Sequence, residues 1–224
     1  EIENGIPIVG LEPSCVAVFR DELTGLLPSA QDAQRLKQQT YTLGEFLQKY
    51  APDFEIPALK QPAVMHGHCH HKAIMKTDCE KEVLQKTGMD FHVLDAGCCG
   101  MAGYFGYEEG RHYDISVAAG ERVLLPAVRK ADAETIIVAD GFSCREQIEQ
   151  LTDRKAMHLA QVLQMALGEK DNPNSIVFPE KKYVDGKKLK NPNRTRNTLL
   201  LLGAVAVGVA AYALLNTKKK GYEL

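Results

Sequence analysis

This sequence has no large excess of charge of either sign and few cysteines for its length. Among its 224 residues, 27 Lys and Arg oppose 29 Asp and Glu, which gives a formal net charge of -2. A nearly neutral chain offers no basic surface of the kind that binds nucleic acid. Its six cysteines are too few for a scaffold built on disulfides. With 45% hydrophobic residues, the chain is predicted to form a sizeable core.

Several motifs of common chemistries are also missing. The sequence has no C-x-x-C pair, the usual ligand pair of structural zinc, and neither a P-loop nor a Ser-His-Asp set is apparent. Instead, Cys98 and Cys99 stand side by side between glycines in residues 95–103, DAGCCGMAG. Adjacent cysteines rarely bridge each other, because the peptide bond between them must distort. The pair therefore indicates either a tight turn or a site that grips a ligand.

Strands and helices alternate in the predicted secondary structure. Four β-strands are predicted from short apolar runs bounded by turn residues, and they lie at residues 6–11, 63–66, 91–94 and 135–139. Helical patterns occur around residues 43–50, at 80–86, at 113–130 with a kink near Pro126, and at 155–167. This alternation predicts an α/β fold with a mostly parallel sheet and helices on both faces.

A cysteine follows each of the four predicted strands. They are Cys15, Cys69, the pair Cys98 and Cys99, and Cys144. Because the carboxyl ends of parallel strands lie along one edge of a sheet, these five cysteines are expected at that edge. Each also precedes or begins a helix, whose N-terminus favours the thiolate that binds metal.

An iron–sulfur cluster is the ligand that this arrangement favours, ahead of structural zinc and of free redox-active thiols. A cluster spreads its ligands over a larger object than a single ion, so adjacent cysteines suit it. Gly97 and Gly100 would let the backbone approach such a cluster. The histidines of residues 66–71 are expected near the site, with His68 or His70 as a less favoured ligand. Cys79 is interpreted as a buried, inert thiol.

A strand followed by Ser-Cys occurs twice, at residues 8–15 and 137–144, with the same spacing. The repetition suggests the end of one repeat followed by the whole of the next. We therefore expect this chain to be the C-terminal part of a longer protein.

Four segments resemble a known family: EPSCVAVFRDEL, HGHCHHKA, DAGCCGMAGYFGYE and VADGFSC. They are similar to the cysteine-rich CCG domain, found in tandem in the iron–sulfur subunits of heterodisulfide reductase and glycolate oxidase. The nearest likeness is to the C-terminal part of FAD-linked oxidases of the D-lactate and 2-hydroxyacid type that carry iron–sulfur domains. The resemblance covers residues 4–165 and implies that they hold the end of one CCG repeat and one complete repeat.

The resemblance also implies ligands and cofactors. Cys69, Cys98, Cys99 and Cys144 would bind an iron–sulfur cluster, of the 4Fe-4S type, and Cys15 would close the site of the first repeat. Gln147 stands where the fullest family motif has a further cysteine, which favours a four-cysteine site. FAD is expected in a preceding region or in a partner subunit, because no flavin-binding stretch or ferredoxin signature is present here.

The C-terminal residues predict a membrane anchor. Residues 198–215, TLLLLGAVAVGVAAYALL, carry no charge and as a helix would extend roughly 27 Å, about the thickness of a bilayer's hydrocarbon core. The more basic N-terminal flank places the large domain on the cytoplasmic side of a single-pass cell-membrane protein. The predicted organisation is the end of a first repeat (1–58), a second repeat (59–170), a basic linker (171–197), a transmembrane helix (198–215) and a basic tail (216–224).

These features together favour the iron–sulfur electron-transfer part of a membrane-anchored, FAD-linked oxidoreductase. The expected partners are a flavin domain or subunit, the membrane and an acceptor such as quinone, with no nucleic acid. The donor would be a 2-hydroxyacid such as D-lactate or glycolate. Two alternatives are a thiol enzyme of the heterodisulfide reductase type and a non-enzymatic, membrane-tethered domain in which a metal only stabilises the fold.

Overall fold

The computed structural model describes residues 1–169 and 176–184. The strands are β1 (Ile8–Val9), β2 (Thr40–Tyr41), β3 (Pro62–Met65), β4 (Asp90–Val93) and β5 (Ile136–Val138). The α-helices are α1 (Pro13–Ala17), α2 (Leu23–Leu26), α3 (Gln31–Gln39), α4 (Leu43–Tyr50), α5 (Asp78–Thr87), α6 (Arg111–Glu121), α7 (Leu124–Lys130), α8 (Phe142–Leu151), α9 (Leu159–Gly168) and α10 (Pro179–Tyr183). Short π-helical segments cover Val18–Glu22 and His71–Met75, and short 3-10 helices cover Ile2–Asn4 and Phe105–Tyr107.

The described strands form two parallel sheets, where the sequence predicted one. The larger sheet has the order β4-β3-β5, and the smaller sheet pairs β1 with β2. The α/β class and the parallel pairing are therefore confirmed, but the first predicted strand does not join the other three. Strand β2 was missed because it contains only Thr40 and Tyr41, which form no apolar run.

Both faces of the larger sheet are covered by helices, as predicted. Successive residues of a strand point to opposite faces, so Met65 of β3 packs in one core and Val64 in the other. The first core includes Leu84 of α5 and Val162 of α9. The second core includes Ile148 of α8, together with residues of α7.

Local chemistry accounts for the helix boundaries. The helices predicted around 43–50 and at 80–86 are confirmed as α4 and α5, and Gly88 ends α5 with a φ of 78°. The kink predicted near Pro126 is instead a break at Val123, between α6 and α7. Pro126 lies in the first turn of α7, where its missing N–H costs no helical hydrogen bond.

The helix predicted at 155–167 begins later, at Leu159. His158 caps it in a reciprocal capping box with Gln161. The residues just before it are extended, because Met157 exchanges backbone hydrogen bonds with Ile137 and Ala139 beside β5. These residues thus widen the sheet instead of lengthening the helix.

Residues 176–184 lie inside the stretch predicted to be a linker, and they pack against the domain. Helix α10 buries Tyr183 in the first core. Glu180 accepts a hydrogen bond of 2.5 Å from Nε of Arg154, and the two side chains are only 3% and 7% exposed. The folded domain therefore includes this segment.

The predicted membrane anchor lies C-terminal to the residues that the structure describes. In the two described ranges, no helix is both long and apolar enough to cross a bilayer. Residues 198–215 and 216–224 lie outside those ranges.

Candidate functional site

Four of the five predicted cysteines meet at the carboxyl edge of the larger sheet. Cys69 follows β3, Cys98 and Cys99 follow β4, and Cys144 is the third residue of α8, after β5. The order β4-β3-β5 makes the ends of these strands neighbours. The thiols interact as hydrogen-bond partners in a continuous row, from Cys69 to Cys98, to Cys99 and to Cys144. We call these four residues the thiol cluster.

The row leads from the surface to the interior. Cys98 is exposed and Cys69 is half-buried, whereas Cys99 and Cys144 are buried, with exposures of 3% and 1%. One end of the thiol cluster therefore meets solvent, and the other end lies against the core of the domain.

Hydrogen bonding lowers the pKa of alternate members of the row. The pKa of Cys98 is lowered to about 2, mainly by hydrogen bonds from Cys69 and Cys99 and further by the backbone N–H of Gly100, whose nitrogen lies 3.3 Å from the Cys98 sulfur. The pKa of Cys144 is lowered to about 5, mainly by a hydrogen bond from Cys99. The donors Cys69 and Cys99 have raised pKa values, because losing the proton would lose the bond and burial opposes their charge.

The donor set fits an iron–sulfur cluster. Four cysteine sulfurs are its usual ligand set, and the lowered pKa values of Cys98 and Cys144 favour the thiolate form that binds metal. Within residues 1–169 and 176–184, no group of three or more His, Cys, Asp or Glu side chains is arranged to hold a single metal ion.

The histidines of residues 66–71 have separate surroundings. His71 pairs with Glu80 at 3.1 Å in the interior, and Glu80 in turn accepts a hydrogen bond of 2.5 Å from Thr42. This network joins α5 to the cap of α4 and is structural. Burial acts to lower the pKa of His71, but the adjacent Glu80 carboxylate outweighs it, and the pKa of His71 is raised overall.

His66 and His68 instead lie beside the thiol cluster. His66 interacts with Cys144, and the charges of Cys144 and Cys98 act on His68, whose pKa is lowered overall by burial. The ring of His70 is near that of His68, with centroids 5.5 Å apart, but His70 is exposed.

The glycines around the thiol cluster differ in how much space a side chain would have. Gly100 has a φ of 99°, and a Cβ there would lie 2.1 Å from the Ser116 carbonyl oxygen, so close packing within the protein itself requires glycine. A Cβ at Gly97 would meet nothing within 4 Å, which leaves open space beside the pair. Nothing in the sequence singled out Gly141. A Cβ at that position would lie 2.4 Å from Cδ2 of His68 and 3.2 Å from the Cys144 sulfur.

Cys15 does not belong to the row. It is exposed and is the third residue of α1, the same place that Cys144 has in α8, which agrees with the predicted repetition. Its loop is tied to that of Cys144 by Glu12, whose carboxylate accepts hydrogen bonds of 2.6 Å from the Phe142 N–H and 2.8 Å from the Ser14 hydroxyl. No sequence signal pointed to Glu12.

Cys79 and Gln147 each form a hydrogen bond to another part of the protein. Cys79 is half-buried, and its S–H donates to Oε1 of Gln48 at 3.1 Å. Burial raises its pKa to about 11, in keeping with an inert thiol. The amide of Gln147 is buried and donates to the carbonyl and hydroxyl oxygens of Ser116, at 3.1 and 3.2 Å. Gln147 thus connects α8 to α6 at the position of the absent cysteine.

Lys72 is a further residue that the sequence did not single out. Its ammonium donates to the carbonyl oxygens of Ala96 and Gly97. Lys72 follows Cys69 by one helical turn, so its side chain holds the loop of Cys98 and Cys99 against the segment that carries Cys69.

Comparison with known proteins gives relatives in two groups. The chain is 29% identical over 165 residues to D-2-hydroxyglutarate dehydrogenase of Pseudomonas putida. The aligned region is 72% of this chain and 15% of the relative. It is 28% identical over 168 residues to one of the subunits of anaerobic glycerol-3-phosphate dehydrogenase of Escherichia coli K12, which covers 73% of this chain and 41% of the relative. D-2-hydroxyglutarate dehydrogenase of Escherichia coli K12 is 25% identical over 71% of this chain and 15% of the relative.

The matched region is therefore less than half of each of these relatives. No protein-family model matches the chain, and no solved structure does. The relatives are dehydrogenases or a subunit of one, which supports the prediction of an oxidoreductase component and is consistent with the CCG resemblance.

Proposed function

We propose that this chain is the iron–sulfur electron-transfer part of a membrane-anchored, FAD-linked dehydrogenase. The observation that carries the proposal is the contiguous thiol cluster, in which Cys69, Cys98, Cys99 and Cys144 would hold a 4Fe-4S cluster. Such a cluster, when bound, accepts and releases electrons at a potential tuned by its surroundings.

The residues around the thiol cluster suit this function. Cys99 and Cys144 would hold the cluster at its buried side, where the core excludes water, while exposed Cys98 would leave the other side near solvent and an electron-transfer partner. The hydrogen bonds from Lys72 would keep the Cys98–Cys99 loop in place. Cys15, at the equivalent place in α1, would belong to the site of the first repeat.

The electron donor in this proposal is a reduced FAD outside this chain, either in a preceding region or in a partner subunit. The names of the relatives support two substrate classes: a 2-hydroxyacid such as 2-hydroxyglutarate, and glycerol-3-phosphate. We favour the 2-hydroxyacid, because the sequence motifs also resemble those of 2-hydroxyacid oxidases.

The electron acceptor would be a quinone in the cell membrane. Residues 198–215 would anchor the chain there by a single span, with the large domain on the cytoplasmic side. Expression of the full chain and of a chain ending at residue 184, followed by membrane fractionation, tests the anchor. The shorter chain is expected in the soluble fraction, and equal membrane association of the two would contradict the anchoring.

Iron and acid-labile sulfide in anaerobically purified protein test the site itself. The Cys99→Ser variant is expected to lose both, together with the visible absorption, because Cys99 contacts two other thiols of the row. Cys79→Ser is the matched control: the same atom changes on a thiol that bonds Gln48 instead, so iron and sulfide should stay at the level of the unsubstituted chain. Zinc without sulfide would refute the proposal. Turnover of disulfides without any 2-hydroxyacid-linked reduction would favour the heterodisulfide reductase type instead.

A further inference from the structure

His66 is one of the most deeply buried polar residues at the site. It directly follows β3, its backbone N–H donates to the Val138 carbonyl oxygen at 2.8 Å, and the residue is 1% exposed. Because β3 and β5 are paired up to Met65 and Val138, the side chain of His66 is fixed at the edge from which α8 and Cys144 begin.

The His66 ring lacks the partners that a buried imidazole needs. Within the described residues, neither Nδ1 nor Nε2 makes a well-directed hydrogen bond, although a neutral imidazole has one N–H to donate and one nitrogen to accept. An unsatisfied buried polar group is costly, and native proteins rarely keep one without a reason. The ring lies within interaction distance of the Cys144 sulfur.

A sulfur held as thiolate is an acceptor that matches this donor. Cys144 already accepts from the S–H of Cys99, and in the bound cluster that proton is gone, since cysteine ligates iron as thiolate. A thiolate sulfur has more than one lone pair, so Cys144 can accept from the His66 ring alongside Cys99 in the metal-free chain, and in place of Cys99 when the cluster is bound.

We propose that His66 is a positioning residue of the thiol cluster, whose ring N–H donates a hydrogen bond to the Cys144 sulfur and raises the reduction potential of the cluster held there. The inference rests on the iron–sulfur function proposed above. Hydrogen bonds to the sulfurs are among the factors that set the potential of such clusters. A donor at Cys144 stabilises the more negative, reduced form more than the oxidised form.

Redox titration of the loaded chain, followed by its electron paramagnetic resonance signal, tests the effect on potential. His66→Leu fills a similar volume without an N–H, and its potential should shift below that of the unsubstituted chain. His66→Gln keeps an N–H and should recover most of the shift. His92→Leu makes the same chemical change at an exposed position of β4 and should leave the potential unchanged.

Nitrogen-15 NMR of the metal-free chain, recorded anaerobically, tests the hydrogen bond without the cluster. One His66 ring nitrogen should carry a slowly exchanging proton, and Cys144→Ala should accelerate that exchange by about tenfold or more, as expected for loss of a hydrogen bond to a charged acceptor. Cys79→Ala should leave the exchange rate unchanged.

The two measurements separate the inference from the function on which it rests. If the unsubstituted chain contains no iron and sulfide, the proposed function fails, and the nitrogen-15 result still decides whether His66 bonds Cys144. If the cluster loads and His66→Leu has an unchanged potential, the inference about His66 is wrong. Should His66→Leu fail to fold, an exchange rate that Cys144→Ala leaves unaltered would overturn the inference.

Discussion

Gly141→Ala tests how closely the histidines and thiols of the site are packed. The added Cβ would lie 2.4 Å from Cδ2 and 3.0 Å from Cγ of His68, and 3.2 Å from the Cys144 sulfur. Ordinary contacts begin near 3.4 Å, so the ring must move by about 1 Å. Gly141 has a φ of -66°, which alanine adopts freely, and the effect is therefore steric. Forcing a methyl group into a packed site costs about 1–3 kcal/mol.

Urea denaturation of the metal-free chain measures this cost. We expect the free energy of unfolding to fall by about 1–3 kcal/mol in Gly141→Ala, and the loaded protein to contain less iron and sulfide because Cys144 is displaced. Gly97→Ala is the matched control, since it adds the same methyl group in a neighbouring loop where the Cβ would meet nothing within 4 Å. Its stability should change by less than about 0.5 kcal/mol.

Equal stability and equal iron content in Gly141→Ala and the unsubstituted chain would refute this reasoning. That result would mean that the His68 ring yields without cost, and that its contact with Gly141 does not position Cys144. A fall in iron content with unchanged stability would refute the predicted cost in stability but retain the effect on the site.

Three further predictions concern the stability and the proton balance of the domain. Gly100→Ala should lower the free energy of unfolding by about 3 kcal/mol or more, because the backbone at this position has a φ of 99° and the added Cβ would lie 2.1 Å from the Ser116 oxygen. Urea denaturation measures this loss, and a loss below about 1 kcal/mol would contradict the prediction. Glu180→Gln should cost about 3 kcal/mol in the same assay, since it leaves buried Arg154 without its counter-charge, and an unchanged midpoint would show that α10 contributes nothing. Loading of the metal-free chain with iron and sulfide should become more complete as pH rises, because the raised pKa values of Cys69 and Cys99 keep them protonated and a ligating cysteine must lose its proton. The visible absorption of the cluster after reconstitution at several pH values measures this, and loading independent of pH would contradict it.

Much of the candidate site could be predicted from local patterns alone. The alternation of apolar runs and helical segments placed β3, β4 and β5 within a few residues of their positions. The rule that parallel strands share one carboxyl edge then predicted that Cys69, the Cys98–Cys99 pair and Cys144 would meet. Neither step requires knowledge of contacts between remote side chains.

Other features depended on contacts that no local pattern records. Gly141 could be named within its motif, but only the position of the His68 ring shows why a side chain is excluded there. Lys72 could not be singled out either, because a lysine is common in any sequence and the carbonyl groups to which it donates lie in another loop. The packing of α10 through Arg154 could not be predicted from the sequence, because the residues around α10 are mostly polar.

The sequence by itself determined the α/β class, the repetition of strand and cysteine, and the set of thiols available to a cluster, because periodicity and spacing are local properties of the chain. Only the tertiary structure decided that the strand before Cys15 pairs with β2, and that Cys15 is thereby left out of the row. It also decided that His66 is enclosed beside Cys144 without a partner for its ring. Strand pairing and side-chain enclosure depend on which distant segments bury each other's surface, and that is settled by the packing of the whole domain.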